Sequence, residues 1–522
     1  MNAPATRLAF ASLLLAAGAA LVANAQPLAW PTPLPRTTPA PQPTQLWSGA
    51  PASAFALTVE PLGVTPDGEA RALVRVALRD PGGAPTLLRR GGDFTFRVDR
   101  GSVQWQTRLR YGGPAAIVAV RDAGPVAIHV VANQPPSLGA ARAGFATRAE
   151  PVVVAGALGP HLVRLGWFPR VRRGSVRIAR VVAGGAAVTA AVLRAPVSSW
   201  DDGAVTPGRV ARYVVVLPGS RHAVRAVVPA ELPAADAQVL RGTAAWLAFS
   251  GDPLDDARYT ALDVDQIVAT AVRARLRMVE LRLAYGAFAE TTAAAQPTID
   301  ALIDGLTTHG IRVLGWTVPR TPAADDLAEA TAVAAIRTPA GNGLSGLAVD
   351  LERGEEFLGE GPSGAAALAG YLATLRRAVG PRVLLVATVE DPFLEHLGPA
   401  TYPYAAIARA ADVVQPMVYW RGLGHASGAR GAVAGSIATL RRLIGGVPID
   451  VGVQTAALGP RGAPGPDELA AALAESRARG ALGVAFYDWS GTDPQQWAVL
   501  AAAAVADELP PARGVPAAER KP

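Results

Sequence analysis

Cysteine is absent from this 522-residue chain, and lysine occurs once, as Lys521. No disulfide can brace the fold and no N-terminal cysteine can carry a lipid, so stability has to come from apolar cores. Half of the residues are apolar, which supplies large cores and excludes a disordered chain. The histidines (His129, His161, His222, His309, His396 and His425) are dispersed, with no H-E-x-x-H and no His–carboxylate pair at ligand spacing. A G-x-S-x-G elbow is missing, and so is a G-x-G-x-x-G following a strand. Neither a metal nor a cofactor is expected.

Long apolar runs are also lacking, with one exception at the start. Arg7 precedes the apolar stretch Leu8 to Val22, which ends in Ala23-Asn24-Ala25. A positive start, a short apolar core and a small-x-small end predict a signal peptide over 1–25, with the product secreted or in the cell envelope. No membrane span is expected after cleavage, because the run is short for one. Residues 26–50 then hold seven prolines, a composition that favours an extended linker.

Charge is unevenly distributed. Residues 52–240 carry 23 Arg against 12 Asp or Glu, whereas 241–509 carry 21 Arg against 29 acids. The front part is suited to an anionic envelope polymer. Scattered surface arginine accounts for it as well, since no basic run is longer than Arg172-Arg173. Aromatics do not interleave with these arginines, so nucleic acid is not an expected partner.

The chain is long enough for about three domains. Short alternating runs cut by Gly, Pro and Asp predict a first β-sandwich over 51–137. The phrase Asp67-Gly68-Glu69-Ala70 through Arg79-Asp80-Pro81-Gly82-Gly83 resembles immunoglobulin-like domains of bacterial surface proteins. A second sandwich is predicted over 150–240, with Trp167 on an early strand and Tyr213 on a late one as core residues. Ser198-Ser199-Trp200-Asp201-Asp202-Gly203 with Pro207-Gly208 is similar to the turn before the Tyr strand of fibronectin type III domains. That resemblance implies spacers rather than binding modules.

Beyond Thr243 the pattern changes. Eight apolar strand-like runs alternate with amphipathic or Ala-rich stretches: 244–250, 278–285, 311–318, 344–352, 383–390, 412–420, 448–455 and 481–489. Eight strand–helix units predict an α/β TIM (β/α)8 barrel over 241–509, with 510–522 as a disordered tail. Strand C-termini and the loops after them make the active site of such barrels. They carry Ser250 and Asp252, Tyr285, Trp316 and Arg320, Asp350 and Glu352, and Glu390 and Asp391 from the first five strands. Gln415, Met417, Tyr419, Gln454, Tyr487, Asp488 and Trp489 come from the last three. Aromatic faces stack on sugar rings, amides meet hydroxyls and paired acids break glycosidic bonds, so these ends fit a polysaccharide cleft. Asp350 and Glu352 fall on one face of their strand, about 6.6 Å apart along it. Taken alone, that pair fits a structural ion pair with a buried arginine, such as Arg282, as well as it fits catalysis.

Gly346-Leu347-Ala348-Val349-Asp350-Leu351-Glu352 resembles the strand-four motif of chitinase-type (family 18) glycoside hydrolases. Gln415-Pro416-Met417-Val418-Tyr419-Trp420 and Gly483-Val484-Ala485-Phe486-Tyr487-Asp488-Trp489 are similar to later strands of that superfamily and of glycoside-hydrolase-like barrels from exported bacterial proteins. The resemblance implies Glu352 as general acid, Asp350 orienting substrate or holding the acid's proton, and Tyr419 bonding the same reacting group. Trp316, Gln415, Met417, Trp420, Gln454, Tyr487, Asp488 and Trp489 become the implied substrate contacts. Ser345 and Ala348 replace the motif's first two acids, and Trp420 stands where a strand-six Asp is usual. The implied function is hydrolysis of a polysaccharide, cell-wall and N-acetyl-sugar polymers included. The alternative is a non-catalytic glycan-binding surface protein.

Overall fold

The structure is a computed structural model that describes residues 52–84, 86, 93–109, 113–182, 185–248, 263–286, 288–289, 295–354, 357–424, 428–459 and 461–508. The expected signal peptide, linker and tail, together with Ser250, Asp252 and His425, lie outside the described residues.

Among the described residues, fourteen antiparallel strands come first, in two sandwiches. Strands β1 (Ala54–Val64), β2 (Ala70–Arg79), β3 (Asp93–Val98), β4 (Ser102–Leu109), β5 (Gly113–Val120), β6 (Gly124–Gln134) and β7 (Ala140–Thr147) form sheets ordered β1-β2-β5-β4 and β3-β6-β7. Strand β7 lies beyond the boundary expected at 137. Its register on β6, Val126 opposite Phe145, places it in the first sandwich. The core lies between the two sheets: Val74, Val76 and Val118 from one, Phe94, Ile128 and Val130 from the other.

The second sandwich comprises β8 (Val152–Gly159), β9 (Leu162–Val171), β10 (Ser175–Val181), β11 (Ala187–Arg194), β12 (Val197–Asp202), β13 (Val210–Leu217) and β14 (Ser220–Val227). Its sheets are ordered β11-β10-β13-β14 and β12-β9-β8. Trp167 and Tyr213 are core residues, as the alternation implies. The Trp167 indole N–H donates to the Val197 carbonyl (2.9 Å), and the Tyr213 hydroxyl donates to Asp202 (2.8 Å).

Eight parallel strands then close on themselves: β15 (Gly242–Leu247), β16 (Met278–Tyr285), β18 (Arg312–Val318), β19 (Leu347–Leu351), β20 (Leu385–Val389), β21 (Val413–Val418), β22 (Val451–Gln454) and β23 (Gly483–Tyr487). A two-residue strand, β17 (Phe288–Ala289), adds to β16 antiparallel. Closure is made by β15 pairing with β23 on one side and β16 on the other. Helices α1 (Val264–Arg273), α2 (Gln296–Thr308), α3 (Ala324–Ala334), α4 (Gly361–Val379), α5 (Tyr404–Ala410), α6 (Gly428–Ile444), α7 (Pro466–Ala478) and α8 (Pro494–Glu508) complete a TIM barrel. Alternation splits its apolar residues into an inner set, including Met278, Leu314, Ala348 and Val413, and an outer set against the helices, including Val279, Leu281, Val349 and Leu351.

The sandwiches do not hang off the barrel as spacers. Leu158, Leu162 and Leu232 of the second sandwich belong to the same apolar cluster as the barrel's outer core. The Thr331 hydroxyl on α3 donates to the Leu158 carbonyl at 2.7 Å. Between the sandwiches and α3 sits the β1–β2 turn, whose Asp67 accepts from Arg164 (2.8 Å) and from the Ala324 backbone N–H at the start of α3 (2.9 Å). Arg71, 6% exposed, reaches Asp325 at 2.7 Å. The close approach depends on glycine: a Cβ on Gly68, where φ is +73°, would stand 2.2 Å from the Ser198 carbonyl oxygen.

Removing one partner of a buried pair strands the other charge. Asp67→Ala is therefore expected to destabilise by about 3 kcal/mol, whereas Arg377→Ala, in the exposed pair with Asp201, costs under about 1 kcal/mol. Chemical denaturation of the two variants checks this contrast.

Candidate active site

On β16 the apolar residues Val279, Leu281 and Leu283 face the helices, while Met278, Glu280 and Arg282 alternate with them and face the barrel axis. The same alternation brings Trp246 of β15, Trp316 of β18, Tyr419 just past β21 and Tyr487 at the end of β23 to the inside. Trp246 stacks on Trp316 (5.8 Å between centroids), Tyr419 stacks on Tyr487 (5.6 Å), and Trp246 meets Tyr487 edge-on at 5.4 Å. Arg282 lies 5.8 Å from the Trp316 ring. These aromatics make one wall around the inner ends of the strands.

The strand carrying the acid pair runs only from Leu347 to Leu351, so Asp350 is its last inward residue and Glu352 follows it at the mouth. Asp350 is 4% exposed, whereas Glu352 is half-buried. Burial pushes the Asp350 carboxyl well up from the usual carboxylate range, with Glu390 adding to the effect and Trp316 and Arg282 opposing it. Burial also pushes Glu352 upward, reinforced by Asp350, Glu390 and Glu395 and opposed by Arg320. Two such acids favour retention of a proton near neutral pH.

Beneath them lies a second carboxyl pair. The Gln415 amide donates to Glu280 (2.8 Å) and Asp450 (2.7 Å), and its oxygen accepts from the Thr388 hydroxyl (2.7 Å). Burial raises Glu280 to about 8, with Asp450 contributing, and raises Asp450 to about 7. Among the described residues, Asp350 Oδ1 and Tyr419 Oη are buried without a hydrogen-bond partner. Unused polar atoms of this kind are rare in a finished core and common where a ligand or reaction uses them.

At the mouth Arg320 lies over the rings of Tyr285 (4.8 Å) and Phe357 (5.5 Å). Its backbone is held by Asp326, which accepts from the N–H groups of Arg320 and Thr321, each at 2.9 Å. Asp326 sits on α3, two residues from Ala324, where Asp67 of the first sandwich docks. Glu390, just past the end of β20, accepts from the backbone N–H of Arg353 (2.7 Å) and from its guanidinium. Asp391 accepts from the N–H groups of Phe393 and Leu394, each at 2.8 Å, and holds its own loop.

Of the residues expected from sequence, the structure brings Asp350, Glu352, Tyr419, Trp316 and Tyr487 together, with Met417 on the inner side. Gln415 is fully buried below them, with its amide engaged by Glu280, Asp450 and Thr388. Gln454 is also fully buried and accepts from the backbone N–H groups of Arg421 and Gly422, which anchors the loop after β21. Trp420 packs in the outer core, where its indole donates to Glu468 (3.3 Å), because it follows the inward Tyr419. Trp489 packs on Trp497 (4.9 Å), since β23 ends at Tyr487 and the chain turns before reaching it. Asp488 accepts from Ser490 and Gly491 in that turn. Sequence reasoning left out Trp246, Glu280 and Asp450. Glu280 and Arg282, at alternate positions in the otherwise apolar stretch Met278–Ala284, were the available signal for Glu280.

No protein-family model matches the sequence, and no curated protein does. Among solved structures, the chain is similar to a chitinase from Chromobacterium violaceum (14% identity, 50% of this chain and 98% of that one, TM-score 0.36). It is also similar to the spore cortex-lytic enzyme SleL of Bacillus megaterium (11% identity, 53% and 76%, TM-score 0.35). A third is the PgaB (BpsB) glycoside hydrolase domain of Bordetella bronchiseptica (12% identity, 50% and 98%, TM-score 0.37). Likeness at this level carries no conclusion about reaction or substrate; the barrel itself rests on the closed strand order.

The raised carboxyls predict how stability follows pH. A carboxyl raised on folding adds stability that is complete below its unfolded value, about 4, and is lost as pH rises through the folded value. Glu280 at about 8 and Asp326 and Asp450 at about 7 place that loss between about pH 4 and 8. The thermal midpoint is expected to fall on going from pH 5 to pH 8, and Glu280→Gln is expected to flatten the slope. A midpoint that rises across this range would contradict the assignment.

Proposed function

We propose that the barrel is a glycoside hydrolase that cleaves a polysaccharide with acid assistance from Glu352. The observation that carries this reading is the acid pair itself: Asp350 and Glu352 stand at the C-terminal end of a strand in a closed barrel, both displaced toward the protonated form. Glu352 is the more exposed of the two and sits where a bond at the mouth would lie. Its proton passes to the glycosidic oxygen, the bond from that oxygen to the anomeric carbon breaks, and water adds to that carbon and releases a proton. The proton that the water releases is taken up by the Asp350–Glu352 pair, which restores the acid, with Asp350 lying deeper and beside Trp316. Trp246, Trp316 and Tyr419 are buried against one another and back the half-buried Tyr487, which offers a ring for a sugar to pack on. The export expected from the N-terminal segment fits a polymer outside the cell, and the first sandwich docks at the start of α3, at Ala324 and Asp325.

A second reading has its own observation. Arg282 lies within electrostatic reach of Asp350, and Ser345 and Ala348 stand where further acids would tune the pair. These favour a barrel that binds glycan without cleaving it.

Hydrolysis of a polysaccharide panel separates the two. Glu352→Gln is expected to lower the rate by about 100-fold or more, with the fold retained. The native rate is expected to decline as pH rises through and beyond neutrality, because the acid must carry its proton. Full activity in the Gln variant sinks the acid's role, and binding without turnover that survives the substitution supports the second reading.

A further inference from the structure

We propose that the seam between the two sandwiches is a binding site for an oxyanion, a carboxylate or phosphate group, seated on Arg100. A cavity of about 520 Å³ opens there, lined by Arg100, Arg121, Arg170 and Arg172 together with Glu69 and Asp122. That volume falls within the roughly 300–1,000 Å³ of small-molecule sites. It lies away from the barrel mouth, so the proposal stands whether or not the barrel is a hydrolase.

Three of the four cations have carboxylate partners. Arg121 donates to Glu69 at 3.1 Å, and Arg170 and Arg172 donate to Asp122 at 3.0 and 3.2 Å. The Asp122 contacts join the sandwiches to each other and account for Arg170 and Arg172 structurally. Arg100 has no such role. Its Nη1 donates to the Ala123 carbonyl at 3.2 Å, while its Nε and Nη2 are buried with no acceptor among the described residues. Arg170 Nε is likewise buried and unused. Guanidinium nitrogens withdrawn from water with no acceptor are costly, and an oxyanion is the group that satisfies a planar fork of N–H donors.

The site is built before any ligand arrives. Arg100 stands in the β3–β4 turn, where the Asp99 carboxylate accepts from the Ala127 N–H (2.8 Å) and the Asp99 N–H donates to the Ala127 carbonyl (3.1 Å). Gly101 follows at φ +88°, and a Cβ there would stand 2.2 Å from the Ala119 carbonyl oxygen, so the turn has one available path. Across the seam the Arg170 N–H donates to the Arg121 carbonyl at 2.8 Å. Four cations against two anions in the lining leave a positive surplus, within a part of the chain that carries 23 Arg against 12 acids.

The full chain titrated calorimetrically with inorganic phosphate, and separately with polygalacturonate, tests this. Saturable binding of one anion per chain is expected, together with a raised thermal midpoint of the native protein. Arg100→Gln is expected to weaken binding at least tenfold, and Arg100→Lys, which keeps the charge without the fork, to weaken it less. Arg79→Gln, on an exposed strand end, should bind as the native chain does. Phosphate binding that polygalacturonate does not displace assigns a free oxyanion; displacement assigns a glycan carboxylate. No saturable binding of either probe, or unchanged affinity in Arg100→Gln, overturns the proposal.

Discussion

Closure of the parallel sheet is the constraint on which the rest depends. Once Ala244 pairs with Met278 on one side and with Ala485 on the other, every strand has an inside and an outside. Side chains that merely alternate in sequence are then divided between a dry outer shell and an enclosed interior. The interior is not uniformly apolar. It holds Glu280, Arg282, Asp350, Gln415 and Asp450 beside Trp246 and Trp316, and water is largely shut out of that space. Carboxyls in such surroundings are displaced toward their neutral forms, which is the physical origin of a candidate acid at the mouth.

The same burial carries a cost in stability. Acids that prefer to be neutral oppose folding at pH values where the unfolded chain would ionise them, and the network around Gln415 offsets part of that through its hydrogen bonds. Outside the barrel, buried charge is paired: Asp67, Arg71, Arg164 and Asp325 meet at the junction of the three domains and hold surfaces together, with Arg164 and Arg71 opposing the upward push that burial gives Asp67. This junction also leads inward. The sandwich turn fixes the start of α3, Asp326 on α3 fixes the backbone of Arg320, and Arg320 faces Glu352. The modules ahead of the barrel are thereby part of the frame that positions its mouth.

Much of this is legible in the amino-acid pattern. The eight apolar runs and the change of period near Thr243 were sufficient for the barrel, and the two acids ending one run for the placement of Asp350 and Glu352 at the end of its fourth strand. Trp420 and Trp489 were legible as aromatics near strand ends, but not as outward-facing ones. Their orientation depends on where each strand stops, and a one-residue change of end reverses the face. Gln415 and Gln454 fit a rim by residue type, yet depth along the axis is set by the stagger between neighbouring strands. Arg282 was visible as a buried partner for the acids, whereas Glu280 and Asp450 were passed over because they lie before the strand ends.

The sequence by itself determined the number and type of elements, the apolar character of each core, and the absence of cysteine that leaves stability to packing. Those properties follow from local pattern and composition. The tertiary structure alone decided which polar residues share the barrel interior, that Glu390 is held by Arg353, that the sandwiches dock on α3 and α4, and that Nε and Nη2 of Arg100 are buried with no acceptor among the described residues. Each of these depends on residues far apart in the chain meeting at a closed sheet or a domain seam, and no local period records such a meeting.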